Sequence, residues 1–186
     1  MPPLILASRS PQRRAILEQL GVEFSVRVPE VEELMAGPPH EVVVENAYRK
    51  ARSVSRHAPG ALILGVDTIV CLGSRIYGKP TDEAGARATL NALQGRSHAV
   101  FSGVCLIDGD RCRTALARTT VELRSLDAAT IDWYLRTGEW RERAGGYAIQ
   151  GAGAALVARI EGDYTNVVGL PVPTVLGLTP GLLGPG

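Results

Sequence analysis

Leu4-Ile5-Leu6-Ala7-Ser8-Arg9-Ser10-Pro11-Gln12-Arg13-Arg14 holds three structural signals in one short stretch. Leu4–Ala7 reads as a buried strand, and Ser8 to Ser10 as a short loop rich in hydroxyls. Pro11 then opens a helix over Pro11–Leu20, with Ser10 as its N-cap and Gly21 just past its end. A strand running almost directly into a helix is the unit of an α/β fold, and the rest of the chain repeats the alternation. Glu23–Val28 has the period of a strand. Glu41–Arg56 is the strongest helix, with Val43, Val44, Ala47, Tyr48, Ala51 and Val54 on one face and Glu45, Arg49, Arg52 and Arg56 on a solvated one. Ala61–Leu72 is a long apolar strand, Asp82–Leu93 a helix, and Ser97–Ile107 with Arg113–Leu123 a pair of strands joined through Asp108-Gly109-Asp110. Asp127–Leu135 reads as a helix, Ala154–Ile160 as a strand, and a last helix falls within Pro171–Leu178. A hairpin among strand–helix–strand units predicts a mixed twisted sheet flanked by helices. The 186 residues suit a single domain over 1–186, with the Pro/Gly-rich tail Thr179–Gly186 expected to fray.

Composition narrows the function. Hydrophobic residues make up 45% and charged residues 21%, the balance of a globular protein rather than a disordered one. The net charge of +1 carries no broad footprint for nucleic acid or an anionic membrane. The apolar run at Met1–Ala7 is too short for a signal peptide, and no stretch nears the roughly 20 apolar residues of a membrane span, so a cytoplasmic location is expected. Cys71, Cys105 and Cys112 form no C-x-x-C pair, which implies neither a zinc site nor a disulfide framework. One bias stands out. Of the 20 basic residues 18 are arginine, and the only lysines are Lys50 and Lys79.

Four groups of residues are suited to phosphate chemistry. The Ser8–Arg14 turn aims backbone N–H groups and a helix dipole at one point, and Arg13 and Arg14 put cations where the dipole disfavours them, which makes sense if an anion binds; arginines that reach solvent or pair with Glu18 and other acids are the plainer alternative. Asp67, with Thr68 beside it, interrupts an apolar strand, and a buried carboxylate must be paired, metal-bound or neutral; an outward-facing acid paired with an arginine is the plainer alternative. Lys50 lies at the edge of an apolar helical arc and Lys79 in Gly78-Lys79-Pro80, a turn before a helix; lysine serves phosphate as a compact point charge, and solvated surface lysines are the plainer alternative. Glu30, Glu32 and Glu33 follow a strand and offer hard oxygen ligands to Mg²⁺ or Mn²⁺, or form a solvated acidic loop. The glycine-rich Gly145–Gly153 fits neither a dinucleotide fingerprint nor a P-loop. Its glycines suit either close approach of backbone to a ligand or a tight turn, and Gln150 there can both donate and accept a hydrogen bond.

Taken in order, these segments resemble the Maf family of nucleoside triphosphate pyrophosphatases. The resemblance runs through Leu6 to Arg14, Glu33, Glu45 to Ala51 around Lys50, Gly65-x-Asp67, Gly78-Lys79-Pro80, His98-x-Val100 with Ser102-Gly103-Val104, Gly146-Tyr147 with Gln150-Gly151, and Val168-Gly169-Leu170-Pro171. It implies a Maf/inosine-triphosphatase-like fold, a substrate cleft between two lobes, and a divalent cation, Mg²⁺ or Mn²⁺. The implied reaction is hydrolysis of a nucleoside triphosphate to the monophosphate and pyrophosphate. Asp67 matches the proton acceptor, and Arg13, Glu33, Lys50, Lys79 and Gln150 match polar positions of the cleft. Glu33 and Asp67 are the candidate metal ligands, while Ser8, Ser10, Gln12, Arg13, Arg14, Thr68 and Gln150 are the candidates for substrate contact. Thr68 and Gln150 follow the pattern of relatives acting on dTTP and UTP; Gln12 departs from it, since that type carries Arg in the slot. Action on 7-methyl-GTP, broad specificity, or a regulator of septum formation that binds nucleotide without turnover are the alternatives. A homodimer is implied by the resemblance alone.

Overall fold

The computed structural model describes residues 2–184 and contains one seven-stranded sheet. The elements run β1 (Leu4–Ala7), α1 (Pro11–Gln19), β2 (Phe24–Arg27), α2 (Pro39–Ser55), β3 (Leu62–Leu72), β4 (Arg75–Tyr77), α3 (Glu83–Leu93), β5 (Ser97–Asp108), β6 (Arg111–Leu123), α4 (Ala128–Thr137), β7 (Val157–Glu161), α5 (Tyr164–Val168) and α6 (Val172–Leu178). Two 3₁₀ turns, Ala144–Gly146 and Ala152–Leu156, lie between α4 and β7. The second turn takes the first residues of the strand expected from Ala154, and β4 and α5 are additional to the elements expected from the sequence.

Strand order is β2-β1-β3-β5-β6-β7, with β4 pairing β3. β1 runs parallel to β2 and β3, and the remaining pairs are antiparallel, so the sheet is mixed as expected. β3 carries the design. Its residues Leu62 to Gly65 pair with β1 along one edge, and Val70 to Leu72 pair with β4 on the same side. Between those two partners, residues 66–69 have no ladder neighbour on that edge. The gap opens just beyond the carboxyl end of β1, where ligands collect in sheets of this kind.

Alternation along β3 separates three apolar clusters. Leu62, Leu64 and Val66 face a cluster containing Leu6, Leu17 and Leu170, whereas Val70 faces one containing Leu90, Tyr134 and Trp140. These lie on one face of the sheet, at opposite ends of the strand, and each fully buried Leu contributes about 1.5–3 kcal/mol. Ile63 points to the other face, where Ala47, Ala51 and Val54 of α2 cover it. Helix α2 sits unusually close to the sheet because Gly65 and Gly103 lack side chains: a Cβ at either would collide with the α2 backbone, at Ala47 and Val43 respectively. The buried arc of α2 is Val42, Val43, Asn46, Ala47, Lys50, Ala51 and Val54, which corrects the expected face: Val44 is only half-buried, and Tyr48 points outward.

Leu182 packs into the same cluster as Leu6, so the tail expected to fray is tied down to that point; Pro185 and Gly186 lie outside the described residues, as does Met1. Among the described residues no helix is long and apolar enough to cross a membrane.

Candidate active site

A cleft of about 690 Å³ occupies the gap in the sheet. Because β3 is open on that edge, side chains from both its faces reach the cleft: Asp67 from the α2 side and Thr68 from the other.

Asp67 is buried, and its two oxygens are held separately. Oδ1 accepts from Lys50 Nζ at 2.6 Å, and Oδ2 accepts from Asn46 Nδ2 at 3.0 Å. Lys50 Nζ also lies 2.7 Å from Glu33 Oε1, so one ammonium links two carboxylates. The plainer alternative for Asp67, an outward acid paired with an arginine, is therefore replaced by a buried, lysine-paired one. A carboxylate has about four lone-pair sites, and two are taken here. Each Asp67 oxygen keeps one to receive a proton.

The opposite face is organised by Arg13. Its Nε donates to Gly169 O at 2.8 Å, Nη1 to Ser8 Oγ at 3.1 Å and Nη2 to Thr68 Oγ1 at 3.1 Å. Three of its five N–H groups are engaged, which fixes the fork and leaves two for a ligand. Burial pulls the Arg13 pKa down, while the Asp67 and Glu33 carboxylates push it back up; a guanidinium stays charged under such shifts. Thr68 Oγ1 also shares a 2.8 Å hydrogen bond with Ser102 Oγ, directly opposite it in the β3–β5 register. Thr68 thus lines the cleft as a brace for Arg13.

Ser10 caps α1 by accepting from the Arg13 N–H, and its hydroxyl donates to Gln12 Oε1 at 3.0 Å. Ser8, Ser10 and Gln12 all line the cleft, and the hydrogen bond from Ser10 leaves the Gln12 amide N–H groups free. Arg14 does not line it. One residue further round the helix, about 100° away, it points to solvent and pairs with Glu18 at 2.7 Å. Expected among the substrate contacts, Arg14 is thus placed outside the residues that line the cleft.

Lys79 stands at the far rim, exposed, with its Nζ 2.8 Å from Glu142 Oε2. Its ammonium holds the Glu142 carboxyl below the usual range. Glu142 is the one described non-glycine residue with positive φ, at 58°, a local strain set beside the cleft. Gln150 lines the same wall and is exposed, and Glu33 reaches the cleft with Pro29 and Val31 while Glu30 and Glu32 face solvent. Within the glycine-rich segment, Gly145, at φ 72°, packs against Val70, while Tyr147 to Gln150 line the cleft.

Sequence reasoning missed three participants. Asn46 ties Asp67 to the loop carrying Glu33, Ser102 braces Thr68, and the Gly169 carbonyl orients Arg13. Behind the rim, His98 Nε2 lies 2.8 Å from Tyr147 Oη, and burial pushes its pKa down to about 4, so the ring is neutral near pH 7.

Among the described residues no group of three or more His, Cys, Asp or Glu could enclose a metal. Glu33 and Asp67, which converge on the Lys50 ammonium, are the carboxylates that could hold Mg²⁺ or Mn²⁺, cations that commonly take one or two carboxylates and complete their shell with water and substrate phosphates.

Fold and site together define a mixed α/β protein with a cleft that combines a buried, lysine-paired acid and an arginine fork. The model of the family described as Maf-like protein matches residues 3–180, and the chain belongs to that family. It is similar to the dTTP/UTP pyrophosphatase of Gloeobacter violaceus, 49% identical over 94% of this chain and 93% of the relative. It is likewise similar to the dTTP/UTP pyrophosphatase of Symbiobacterium thermophilum, at 50% over 92% and 90%. That of Deinococcus radiodurans is 42% identical over 97% and 93%.

Proposed function

We propose that this chain hydrolyses dTTP and UTP to the nucleoside monophosphate and pyrophosphate. The observation that carries the reading is the Asp67 carboxylate, buried and held by Lys50 and Asn46, lining one cleft with the Arg13 fork. The names of relatives 42–50% identical supply the substrate class.

In this mechanism a water bound at a free lone pair of Asp67 attacks the α-phosphorus. Its proton passes to the carboxylate as the new P–O bond forms. The bond from phosphorus to the bridging oxygen breaks, and pyrophosphate leaves. Arg13 and Lys79 hold phosphate oxygens, and Lys50, paired with Asp67 Oδ1, keeps that carboxylate aimed. Their charges act in a partly desolvated site, where fixed cations stabilise developing negative charge most strongly. Glu33 and Asp67 are the residues that would hold Mg²⁺ or Mn²⁺, and the cation would supply neutralisation of the phosphate chain. Gln150, exposed on the rim wall, is placed to offer a neutral donor and acceptor to a pyrimidine edge. Three free thiols suit a reducing, cytoplasmic compartment, and a homodimer follows from the family resemblance.

A triphosphate panel with Mg²⁺ or Mn²⁺ tests the reading. Pyrophosphate released in a one-to-one ratio with dTMP or UMP is expected. Orthophosphate alone would point to cleavage at the γ-position, and nucleotide binding without either product would point to a regulator.

A further inference from the structure

Asn46 is an amide in an arc of α2 otherwise made of valine, alanine and Lys50, and only 1% of its surface is accessible. Burying an amide is unfavourable unless its groups are paired, and here they are. Oδ1 accepts the Leu34 N–H at 2.8 Å, and Nδ2 donates to Leu34 O at 3.0 Å and to Asp67 Oδ2 at 3.0 Å. Both N–H groups are used, and they fix the orientation. With the amide turned over, its oxygen would face the Asp67 carboxylate.

The loop bound by this amide has few other ties. No backbone–backbone hydrogen bond joins residues 30–37 to the rest of the described chain, and Leu34 is paired through both its N–H and its C=O to Asn46. Glu33, next to Leu34, reaches Lys50 at 2.7 Å, and Lys50 in turn reaches Asp67. Asn46 and Lys50 are one helical turn apart, so α2 presents two successive side chains that grip the same loop and the same carboxylate. We infer that Asn46 is a positioning residue for the hydrolysis: its amide locks the Glu33 loop to Asp67 and orients the Asp67 carboxylate towards substrate. An amide serving only to hold the loop would need Leu34 alone; the bond to Asp67 ties that loop to the chemistry.

The inference rests on the pyrophosphatase reading, and its test has an arm that does not. Asn46→Ala removes all three hydrogen bonds. Asn46→Asp is nearly isosteric and keeps the acceptor for Leu34 N–H, but it loses the donors to Leu34 O and to Asp67 Oδ2 and sets a second carboxylate beside Asp67. Turnover is expected to fall about 100-fold in both variants, the scale of a misplaced reacting group, with KM moving less than about fivefold. Hydrogen exchange at the Leu34 amide is expected to speed up about tenfold or more in Asn46→Ala and to stay slow in Asn46→Asp. Val54→Ala, a core change on the same helix, controls for lost stability and should leave kcat unchanged. Either of two results overturns the inference: a folded Asn46→Asp protein with kcat within about threefold of wild type, or Leu34 exchange unaltered in Asn46→Ala. Absence of pyrophosphate release by the wild-type chain would instead overturn the activity reading, and the Leu34 amide would still decide whether Asn46 holds the loop.

Discussion

Of the three lysine–carboxylate pairs in the cleft, two have nearly equal length and opposite character. On the inner wall, Lys50 and Asp67 meet at 2.6 Å with side chains 8% and 7% exposed. On the rim, Lys79 and Glu142 meet at 2.8 Å with side chains 60% and 82% exposed. Desolvation makes the first pair nearly permanent: separating it strands a charge in a poorly solvated place. Water makes the second exchangeable, since an exposed pair contributes only about 0–1 kcal/mol. The same chemistry therefore does two jobs. In the proposed reaction the inner lysine organises the protein's own acid, and the outer one trades Glu142 for a substrate phosphate.

Three substitutions would break or sharpen that contrast. Asp67→Asn removes the proton acceptor while preserving shape, and kcat should fall by about 1,000-fold or more in a steady-state assay. Near-normal turnover would remove Asp67 from the mechanism. Lys50→Met leaves Asp67 buried without its cation, and chemical denaturation should record a loss of about 3–5 kcal/mol together with lost activity. A stability close to wild type would mean that the inner pair is as replaceable as the outer. Lys79→Ala should change stability by less than about 0.5 kcal/mol and raise KM about tenfold, the worth of one charge-assisted phosphate contact. A large stability loss there would erase the distinction between the two walls.

The same contrast explains what was legible in the sequence. The strand–turn–helix at Leu4–Arg14 was clear because a hydrophobic run, a capping serine and a proline at the first helical position all agree. The scarcity of lysine drew attention to Lys50 and Lys79, but composition does not tell a buried lysine from an exposed one. Arg13 and Arg14 are adjacent and chemically identical, and only the phase of α1 separates a buried fork from a solvated ion pair. Asn46, inside the Glu45–Ala51 stretch, gains no role from the sequence because an apolar arc that includes Val44 and Tyr48 rotates the face away from Val42 and Asn46. The usable signal was Asn46 four residues before Lys50, two polar groups at helical spacing inside an apolar stripe. β4 and α5, three and five residues long, are too short to carry a periodic pattern.

Hydrolysis carried out in heavy-oxygen water tests the central claim most directly, because it locates the atom that Asp67 directs water to attack. Attack at the α-phosphorus places the labelled oxygen in the nucleoside monophosphate and leaves pyrophosphate unlabelled. Label found in pyrophosphate, or in orthophosphate, would contradict the account by moving the reacting water to another phosphorus.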